Sequence, residues 1–304
     1  MSNNSTSQID LVAGDTNARF RAAMARVMTS DGTKELIPGV LAIRRSQPYS
    51  TTVHGLHRPA LCIVAQGCKA VYVRDETYTY HPQQMLVFAL DMPIAAQILD
   101  ATPDAPFFAL RLDFAAAQIA TVVREVFPNG IPPEEMSSGI AVIPSDIALI
   151  DTLLRLVQAT VHPEDARIYG PLFLTEALIR LLRSSAGPLI AQIGVSESRM
   201  ARIGKAIAHI QMHYTQALDM QEVADLVALS PSSFHQQFKT ATRLSPLQYQ
   251  KMLRLQEARR LLLSTDMDTQ QVAAAVGYQS GSQFTREYHR YFGAPPTRDI
   301  ARFT

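Results

Sequence analysis

The chain has 304 residues, of which 47% are hydrophobic and 18% are charged, and its formal net charge at pH 7 is +1. These proportions predict about two folded domains with apolar cores and exclude a disordered chain. No stretch approaches 18 uncharged apolar residues, and the polar start MSNNSTSQID lacks a basic region followed by an apolar run. We therefore expect no membrane span, no signal peptide and a cytoplasmic location.

The balanced net charge conceals an asymmetry between the two parts of the chain. Residues 197–304 contain 13 Lys and Arg against 9 Asp and Glu, a net charge of +4, whereas residues 1–196 contain 15 against 18, a net charge of −3. An excess of basic residues in one part favours an acidic partner there, such as a nucleic acid.

Residues 1–38 predict a leader, loose to about Gly14, and a short helix from Phe20 to Ser30. From Gly39 to about Phe114 the pattern changes to short β-rich runs separated by turn residues. Runs of this length predict an antiparallel sandwich or barrel. The runs are VLAIRRS, ALCIVAQG, AVYVRDE, TYTYHP, MLVFALDMP, AAQILDA and FFALRLDF.

The histidines and cysteines of this region are the candidates for a metal or redox site. His54, His57 and His81 lie near one another in sequence, but residues three apart in a strand tend to point to opposite faces, so we expect no metal site and no cofactor. Cys62 and Cys68 are the only cysteines. Without a local basic cluster beyond Lys69, we expect reduced, structural thiols, and the sequence leaves redox or electrophile sensing undecided.

After residue 114 the periodicity is helical again. Helices are expected over residues 115–127, 145–160 and 165–184, with the Pro- and Gly-rich segment NGIPPEEMSSG after the first and with Ser145 and Asp165 as N-caps of the other two. The apolar stripe of Leu149, Leu153 and Leu156 predicts packing on the β-rich domain. That domain is predicted to end at residue 186, and residues 187–198 to form a linker.

A pattern of helix, turn and helix occurs twice in residues 199–304, at about 221–242 and 270–292. Val223, Ala224 and Val227 recur 49 positions later, and Phe234 and Phe238 recur 50 positions later as Phe284 and Tyr288. The extra residue falls in the turn. Two copies of one pattern predict two helix-turn-helix units rather than ordinary helical hairpins.

Serine precedes the second helix of each copy, at Ser230 and Ser280, where its hydroxyl can cap the helix. Between the copies, a capping box of Ser245 and Gln248 begins an apolar periodicity that continues to Leu263. We therefore predict one connecting helix of roughly 27 Å, at ~1.5 Å per residue. Such a helix could hold two recognition helices about one DNA turn, ~34 Å, apart.

The outer faces of the two second helices carry neutral hydrogen-bonding residues near the start and cations further along. This arrangement is typical of recognition helices, although any one of these residues would also suit a solvated face. The faces comprise Ser232, Ser233, Gln236 and Lys239 in the first copy, and Gly281, Ser282, Gln283, Arg286 and Arg290 in the second.

Residues from about 203 to 303 resemble the AraC/XylS transcription regulators. The motifs that carry the resemblance are Phe234-x-x-x-Phe238-Lys239, Ser245-Pro246-x-x-Tyr249, Leu253-Arg254-Leu255-x-x-Ala258-Arg259-Arg260, Gly277-Tyr278-x-Ser280-x-Ser282-x-Phe284-x-Arg286 and Tyr291-Phe292-Gly293-x-Pro295-Pro296. The resemblance implies base-reading positions at Ser232, Gln236, Gly281, Ser282 and Arg286, with Lys239 and Arg290 as expected phosphate contacts. The chain departs from the family at Arg243, where glycine is usual, and at Gly281, which has no side chain to read with.

The β-rich stretch resembles the N-terminal domain of one branch of the same family, through HRPALCIVAQGCKAVYV and LVFALDMP. This resemblance implies a cupin-like domain that binds a small-molecule effector of unspecified identity, followed by helices that commonly form the dimer contact. The implied partners are double-stranded DNA, an effector, a second copy of the chain and RNA polymerase.

No catalytic motif accompanies these features. The sequence has no phosphate-binding loop, no nucleophile elbow and no paired-cysteine metal spacing, so we expect no enzyme. The predicted fold is an α+β multidomain chain with an N-terminal antiparallel sandwich or barrel and a C-terminal all-α domain. The alternatives to an effector-responsive regulator are a DNA-binding regulator without an effector and a cupin-type metalloenzyme joined to a helical domain.

Overall fold

The computed structural model describes residues 3–49, 51–133 and 138–301 of the chain. Outside the described residues lie parts of three predicted segments: residues 1–2 of the leader, 134–137 of the segment after the first helix, and 302–304 of the helical domain. The predicted architecture is confirmed, because antiparallel strands fill the first part of the chain and helices fill the last part.

Ten strands form two sheets in the described part of the chain. The strands are β1 (Gly32–Ile37), β2 (Val40–Arg45), β3 (Val53–His57), β4 (Ala60–Gln66), β5 (Cys68–Val73), β6 (Glu76–Tyr80), β7 (Gln84–Phe88), β8 (Met92–Asp100), β9 (Phe107–Asp113) and β10 (Ile140–Pro144). The six-stranded sheet has the order β1-β2-β9-β4-β7-β10, and the four-stranded sheet has the order β3-β8-β5-β6.

The strand pairs of the larger sheet are antiparallel, and so are β5–β6 and β5–β8 in the smaller one. Both faces of β4 are buried, which explains its continuous apolar run ALCIVA. The strands β1, β3 and β10 were not among the predicted runs. The first is an edge strand with the exposed polar residues Thr33, Lys34 and Glu35, so its sequence lacks an apolar run.

Five helices belong to the N-terminal part: α1 (Asn3–Val27), α2 (Ala116–Val126), α3 (Ile147–Ala159), α4 (Pro163–Leu182) and α5 (Gly187–Ala191). The prediction of a loose leader to Gly14 is wrong, because α1 already begins at Asn3. The predicted linker 187–198 contains α5 and a 3-10 helix over Gln192–Gly194, both of which pack against α2.

Both predicted N-caps of α3 and α4 are wrong. Asp146 caps α3, where its carboxylate accepts a hydrogen bond of 3.2 Å from the backbone N–H of Ala148. Helix α4 begins at Pro163, because proline suits the first helical position, and Asp165 lies in the first turn, where its charge favours the helix dipole.

The apolar stripe of α3 is buried, but its main neighbours are helices. Leu149, Leu153 and Leu156 are no more than 1% exposed, and α3 packs chiefly on α1 and α4. Helix α1 in turn packs on β4 and β9. The expected packing of α3 on the sheet is therefore corrected, since α1 lies between them.

The C-terminal part contains seven helices in the described residues: α6 (Arg199–Met212), α7 (Met220–Leu226), α8 (Pro231–Thr242), α9 (Pro246–Ser264), α10 (Thr269–Ala275), α11 (Gly281–Phe292) and α12 (Pro296–Ile300). The chain divides into two compact units, the first ending at Ala201 and the second beginning at Arg202, with the short segments His54–Leu56 and Asp91–Pro93 grouped with the second. None of the described helices is long and apolar enough to cross a membrane.

Candidate nucleic-acid interface

The first helix-turn-helix unit consists of α7 and α8. Asp219 caps α7 by accepting hydrogen bonds from two backbone N–H groups of its first turn. Pro231 opens α8, and the hydroxyl of Ser230 accepts a hydrogen bond of 3.3 Å from the backbone N–H of Ser233. These caps give both helices defined starts, because they satisfy N–H groups that have no partner within the helix.

The second unit consists of α10 and α11 and repeats this construction. Asp268 and Gln271 form a reciprocal capping box at the start of α10. The hydroxyl of Ser280 caps α11 by accepting a hydrogen bond of 3.3 Å from the backbone N–H of Gln283. The local sequence therefore defines the same start in both second helices.

The two units differ at two positions where the backbone is left-handed. In the turn, Ala228 has φ 51° and its counterpart Gly277 has φ 87°. At the end of the second helix, Arg243 has φ 63° and its counterpart Gly293 has φ 77°. Left-handed backbone favours glycine, because a Cβ atom crowds the backbone there. The departure at Arg243 therefore leaves the turn left-handed, but this backbone conformation costs more free energy at Arg243 than at Gly293 of the second unit.

Aromatic side chains fix the inner face of each second helix. Phe234 and Phe238 are fully buried with ring centroids 5.5 Å apart, and Phe284 and Tyr288 are fully buried with centroids 5.6 Å apart. Since these residues are four apart in each helix, they lie on one face and hold the opposite face outward.

The outward face of α8 carries the predicted contacts of the first unit. Ser232, Gln236 and Lys239 are all exposed, and their spacing of four and three residues places them in one stripe. Ser233 differs from the prediction of an exposed side chain. It is half-buried, and its hydroxyl accepts a hydrogen bond of 3.0 Å from the amide of Gln237.

The outward face of α11 carries the predicted contacts of the second unit. The exposed residues are Gly281, Ser282, Arg286 and Arg290. A Cβ atom added to Gly281 would meet nothing within 4 Å, so the helix start there is open. Gln283 is exposed, but its amide donates a hydrogen bond of 3.3 Å to Glu287. The predicted residues of each helix thus share one solvent-exposed face.

Helix α9 connects the two units and holds the loop before the first of them. Gln250 is buried and donates to the carbonyl oxygens of Tyr214 and Gln216 at 3.0 and 2.6 Å. Arg254 donates to the same two carbonyls at 2.6 and 2.8 Å and to the carbonyl of Gly277 at 3.1 Å. The planar guanidinium therefore joins that loop to the turn of the second unit, a geometry that lysine cannot reproduce.

A second set of bonds joins α9 to α11 through Glu287. Lys251 donates to this carboxylate at 2.9 Å, Tyr278 at 2.9 Å and Gln283 at 3.3 Å. Burial alone would raise the pKa of Glu287, but these hydrogen bonds outweigh burial and hold the pKa below its usual value. The carboxylate is therefore charged at neutral pH and keeps α11 in register with α9.

A buried ion pair holds α12, the last helix of the described residues, against α9. The carboxylate of Asp299 on α12 is 1% exposed and receives hydrogen bonds from Arg259 at 3.0 Å and from the Tyr288 hydroxyl at 2.9 Å. The guanidinium of Arg259 also lies 4.7 Å from the ring centroid of Phe292. Burial, followed by the neighbouring carboxylate, raises the pKa of Tyr288, so its hydroxyl stays a donor.

The structure adds residues that the sequence interpretation did not assign. His235 is exposed next to Gln236, and His289 is exposed at the position that corresponds to Lys239. Alignment of the two copies at an offset of 50 would have identified His289. The role of Arg254 could not be read from its helix alone, because its acceptors lie about 40 residues before it and 23 residues after it.

The histidines of the sheets do not converge. His57 on β3 stacks on Phe88 with ring centroids 4.0 Å apart, and burial, with the charge of Lys69, lowers the pKa of His57 to about 3. His81 follows β6 and is exposed. Among the described residues, no group of three or more His, Cys, Asp or Glu could hold a metal ion.

The two cysteines are both free. Cys62 is buried, with its Sγ 3.5 Å from Nε2 of His57, and Cys68 is half-buried. Burial raises the pKa of both thiols. Each is therefore protonated at neutral pH, which makes it a poor nucleophile.

Two family models match the chain. A model of the AraC-type transcriptional regulator N-terminus matches residues 36–189, and a helix-turn-helix domain model matches residues 223–302. The HTH-type transcriptional activator RhaS of Escherichia fergusonii is 34% identical over 100 residues, which are 33% of this chain and 36% of RhaS. The HTH-type transcriptional regulator GbdR of Pseudomonas aeruginosa is 28% identical over 149 residues, 49% of this chain and 40% of GbdR.

The likeness to these relatives is partial, since the chain spans 36% and 40% of their lengths. Among solved structures, apo ToxT from Vibrio cholerae superimposes with a TM-score of 0.54 and 9% sequence identity, over 89% of this chain and 100% of that chain. At this identity, the superposition concerns the fold.

Proposed function

This chain belongs to the AraC-type transcriptional regulators, and we propose on that premise that it is a sequence-specific DNA-binding regulator. The observation that carries the proposal is the pair of capped helices α8 and α11, each with a buried aromatic face and an exposed polar face, mounted on one connecting helix. In this proposal residues 199–304 bind double-stranded DNA, and residues 39–186 form the effector domain.

Each recognition helix would enter the major groove and read base edges with its N-terminal half. Gln236 suits a bidentate contact with adenine, and Arg286 suits one with guanine. Ser232 and Ser282 would meet bases nearer the helix starts, while Gly281 would allow close approach without reading. Lys239 and Arg290 would contact phosphates, which position the protein but carry no sequence information.

The length of α9 supports reading by both helices on one side of the duplex. Its 19 residues span about 28 Å at ~1.5 Å per residue. Successive major-groove segments on one face are ~34 Å apart. Because side chains extend beyond the helix ends, this length suits two recognition helices placed one helical turn apart.

Selection of binding sites from random DNA tests the assignment. We expect the full chain to select a motif with two parts about one helical turn apart. Gln236→Ala and Arg286→Ala should each cost about 1–3 kcal/mol and relax the preference in one part only. The matched controls are Gln270→Ala on α10 and Arg298→Ala on α12, which are exposed outside the recognition faces and should keep the motif.

A retained motif with uniformly weaker binding in Arg286→Ala would make Arg286 a phosphate contact. Lys239→Ala should weaken binding to all sequences alike and reduce the slope of log affinity against log salt by about one unit, since one phosphate contact is lost. If the wild-type chain selects no motif, the proposal of sequence-specific binding fails.

We also propose that the β-rich domain binds a small-molecule effector, that the chain acts in the cytoplasm, and that it pairs with a second copy and contacts RNA polymerase. An exposed apolar patch on α4, comprising Ile168, Tyr169 and Leu172, supports a homodimer. Sedimentation of the wild type and of Leu172→Glu tests this point. A monomeric wild type would refute dimerisation.

If the selected DNA motif is the same with and without each small molecule tested, the alternative of an effector-independent regulator is favoured.

A further inference from the structure

Two cationic side chains of the N-terminal domain face the space between its two sheets. Lys69 on β5 is the cross-strand partner of Tyr80 and Ile98, both 1% exposed, so Lys69 shares their inward face. Arg111 on β9 is the partner of the buried Cys62 and therefore shares the face of that thiol. Because β5 belongs to the four-stranded sheet and β9 to the six-stranded sheet, the two cations extend from different sheets, and the charge of each lowers the pKa of the same Cys62 thiol.

The donors of these cations are only partly used within the described residues. Arg111 directs Nε and Nη2 to the carboxylate of Asp113 at 2.7 and 2.9 Å, and no described residue accepts from its Nη1. No described residue accepts a hydrogen bond from the ammonium of Lys69. Both side chains are half-buried, so water or a ligand can reach them.

The charge balance of this interior is positive. Asp113 neutralises Arg111. The charged groups that act on Lys69 are the guanidinium groups of Arg111 and Arg45, which repel it, and the protonated Cys62 thiol carries no charge. Burial, aided by these two guanidinium groups, lowers the pKa of Lys69. A cation held near other cations in a partly buried space costs free energy, and an anion bound between them would remove that cost.

The surroundings of the two cations are apolar. On β2, Leu41 is the cross-strand partner of Arg111, and both Leu41 and Ile43 are half-buried on the inward face. Val71 on β5 and Phe88 on β7 are fully buried. Such a lining suits the apolar body of a ligand, whereas a small inorganic ion would leave it unused.

We propose that this interior binds an organic carboxylate with an apolar body, whose oxygens accept hydrogen bonds from Lys69 and Arg111. The inference rests on the proposed effector role of the domain and specifies the chemical class of the effector. A carboxylate group accepts two or more charge-assisted hydrogen bonds, so it suits the two cations, and the apolar body of the ligand suits the apolar lining.

The test uses the full chain without DNA and four probe acids, butanoate, hexanoate, octanoate and benzoate, each with its primary amide as the uncharged control. Calorimetric titration and thermal melting measure binding. We expect at least one acid to bind and to raise the melting temperature, and its amide to bind at least tenfold more weakly. Failure of all four acids, or equal binding of acid and amide, would overturn the proposal.

Two variants locate the site. Lys69→Met keeps the aliphatic stem and removes the charge, so the acid should bind at least tenfold more weakly, while Lys34→Met, an exposed lysine of β1, should bind as the wild type does. Without ligand, Lys69→Met should melt at or above the wild-type temperature, since a partly buried cation is removed. A lower melting temperature would mean that Lys69 is already compensated within the protein, which contradicts the proposal.

A double variant, Arg111→Gln with Asp113→Asn, removes the second cation without leaving its carboxylate unpaired and should also weaken acid binding at least tenfold. Undiminished binding in both variants would place the acid elsewhere and overturn the site. Site selection from random DNA runs in parallel. Failure of the wild type to bind DNA would count against the regulator proposal alone, because acid binding is measured without DNA.

Discussion

The substitution Gly277→Ala tests how tightly the second helix-turn-helix unit is held against the rest of its domain. Gly277 has φ 87°, and a Cβ atom there would lie 2.1 Å from the carbonyl oxygen of Thr215. Gly293 has φ 77°, but a Cβ atom there would meet nothing within 4 Å. Comparison of Gly277→Ala with Gly293→Ala therefore separates the conformational cost of a side chain in left-handed backbone from the steric cost of the contact with Thr215.

The conformational cost is about 1 kcal/mol at either position. At Gly277 the loop around Thr215 must also move by more than about 1 Å to restore an ordinary contact. That loop is held by four hydrogen bonds from Gln250 and Arg254, and each costs about 1 kcal/mol to break, or 1.5–3 kcal/mol when the donor is charged. Loss of one or two of them, added to the conformational cost, gives a total of about 2–7 kcal/mol for Gly277→Ala.

Thermal and urea unfolding of residues 197–304, followed by circular dichroism, measure both variants. A loss of 1 kcal/mol lowers the melting temperature of a domain of this size by about 4–8 °C, so Gly277→Ala should melt far below Gly293→Ala. Equal losses in the two variants would show that the Thr215 loop moves aside at no cost. In that case the hydrogen bonds of Gln250 and Arg254 would not fix the loop.

Three further predictions concern stability. Phe284→Ala should cost about 3–5 kcal/mol in the same unfolding assay, because it truncates a fully buried ring, and an unchanged melting temperature would contradict that burial. Arg254→Lys should be nearly as destabilising as Arg254→Met, about 2–4 kcal/mol, because an ammonium cannot serve the three carbonyl oxygens together; full rescue by lysine would refute the role of the planar group. The third is a pH dependence. Burial would raise the pKa of Glu176, but hydrogen bonds from Arg155, Arg180 and Thr152 lower it to about 2 from 4.5, so its contribution is present above pH 4.5 and is lost as the pH falls toward 2. After discounting for solvent screening we expect about 1–2 kcal/mol in acid unfolding of the full chain, absent in Glu176→Gln; an identical acid profile for the two proteins would contradict it.

Features set by short-range periodicity were predicted well. The helix-turn-helix units and the connecting helix appear where the repeat and the capping residues Ser230, Ser245 and Ser280 indicate them. The central strands also match the β-rich runs, since strands buried on both faces are continuously apolar. These elements carry their own signals, because caps and apolar spacing act within a few residues.

Features that depend on a partner element were predicted poorly. The edge strand β1 is polar, and it is a strand because it pairs with β2. The helix α3 has an apolar stripe whose spacing predicts burial, but the spacing does not say that α1 covers it. In both cases the missing information lies in a segment distant in sequence.

The same distinction applies to the proposed sites. The sequence by itself determined the outward polar faces of α8 and α11, because the buried aromatic residues four apart fix the rotation of each helix. Only the tertiary structure decided that Arg254 joins two loops and that Lys69 and Arg111 face one interior. Those relations follow from the register of paired strands and the approach of a side chain to distant carbonyl groups, and neither has a local signal in the chain.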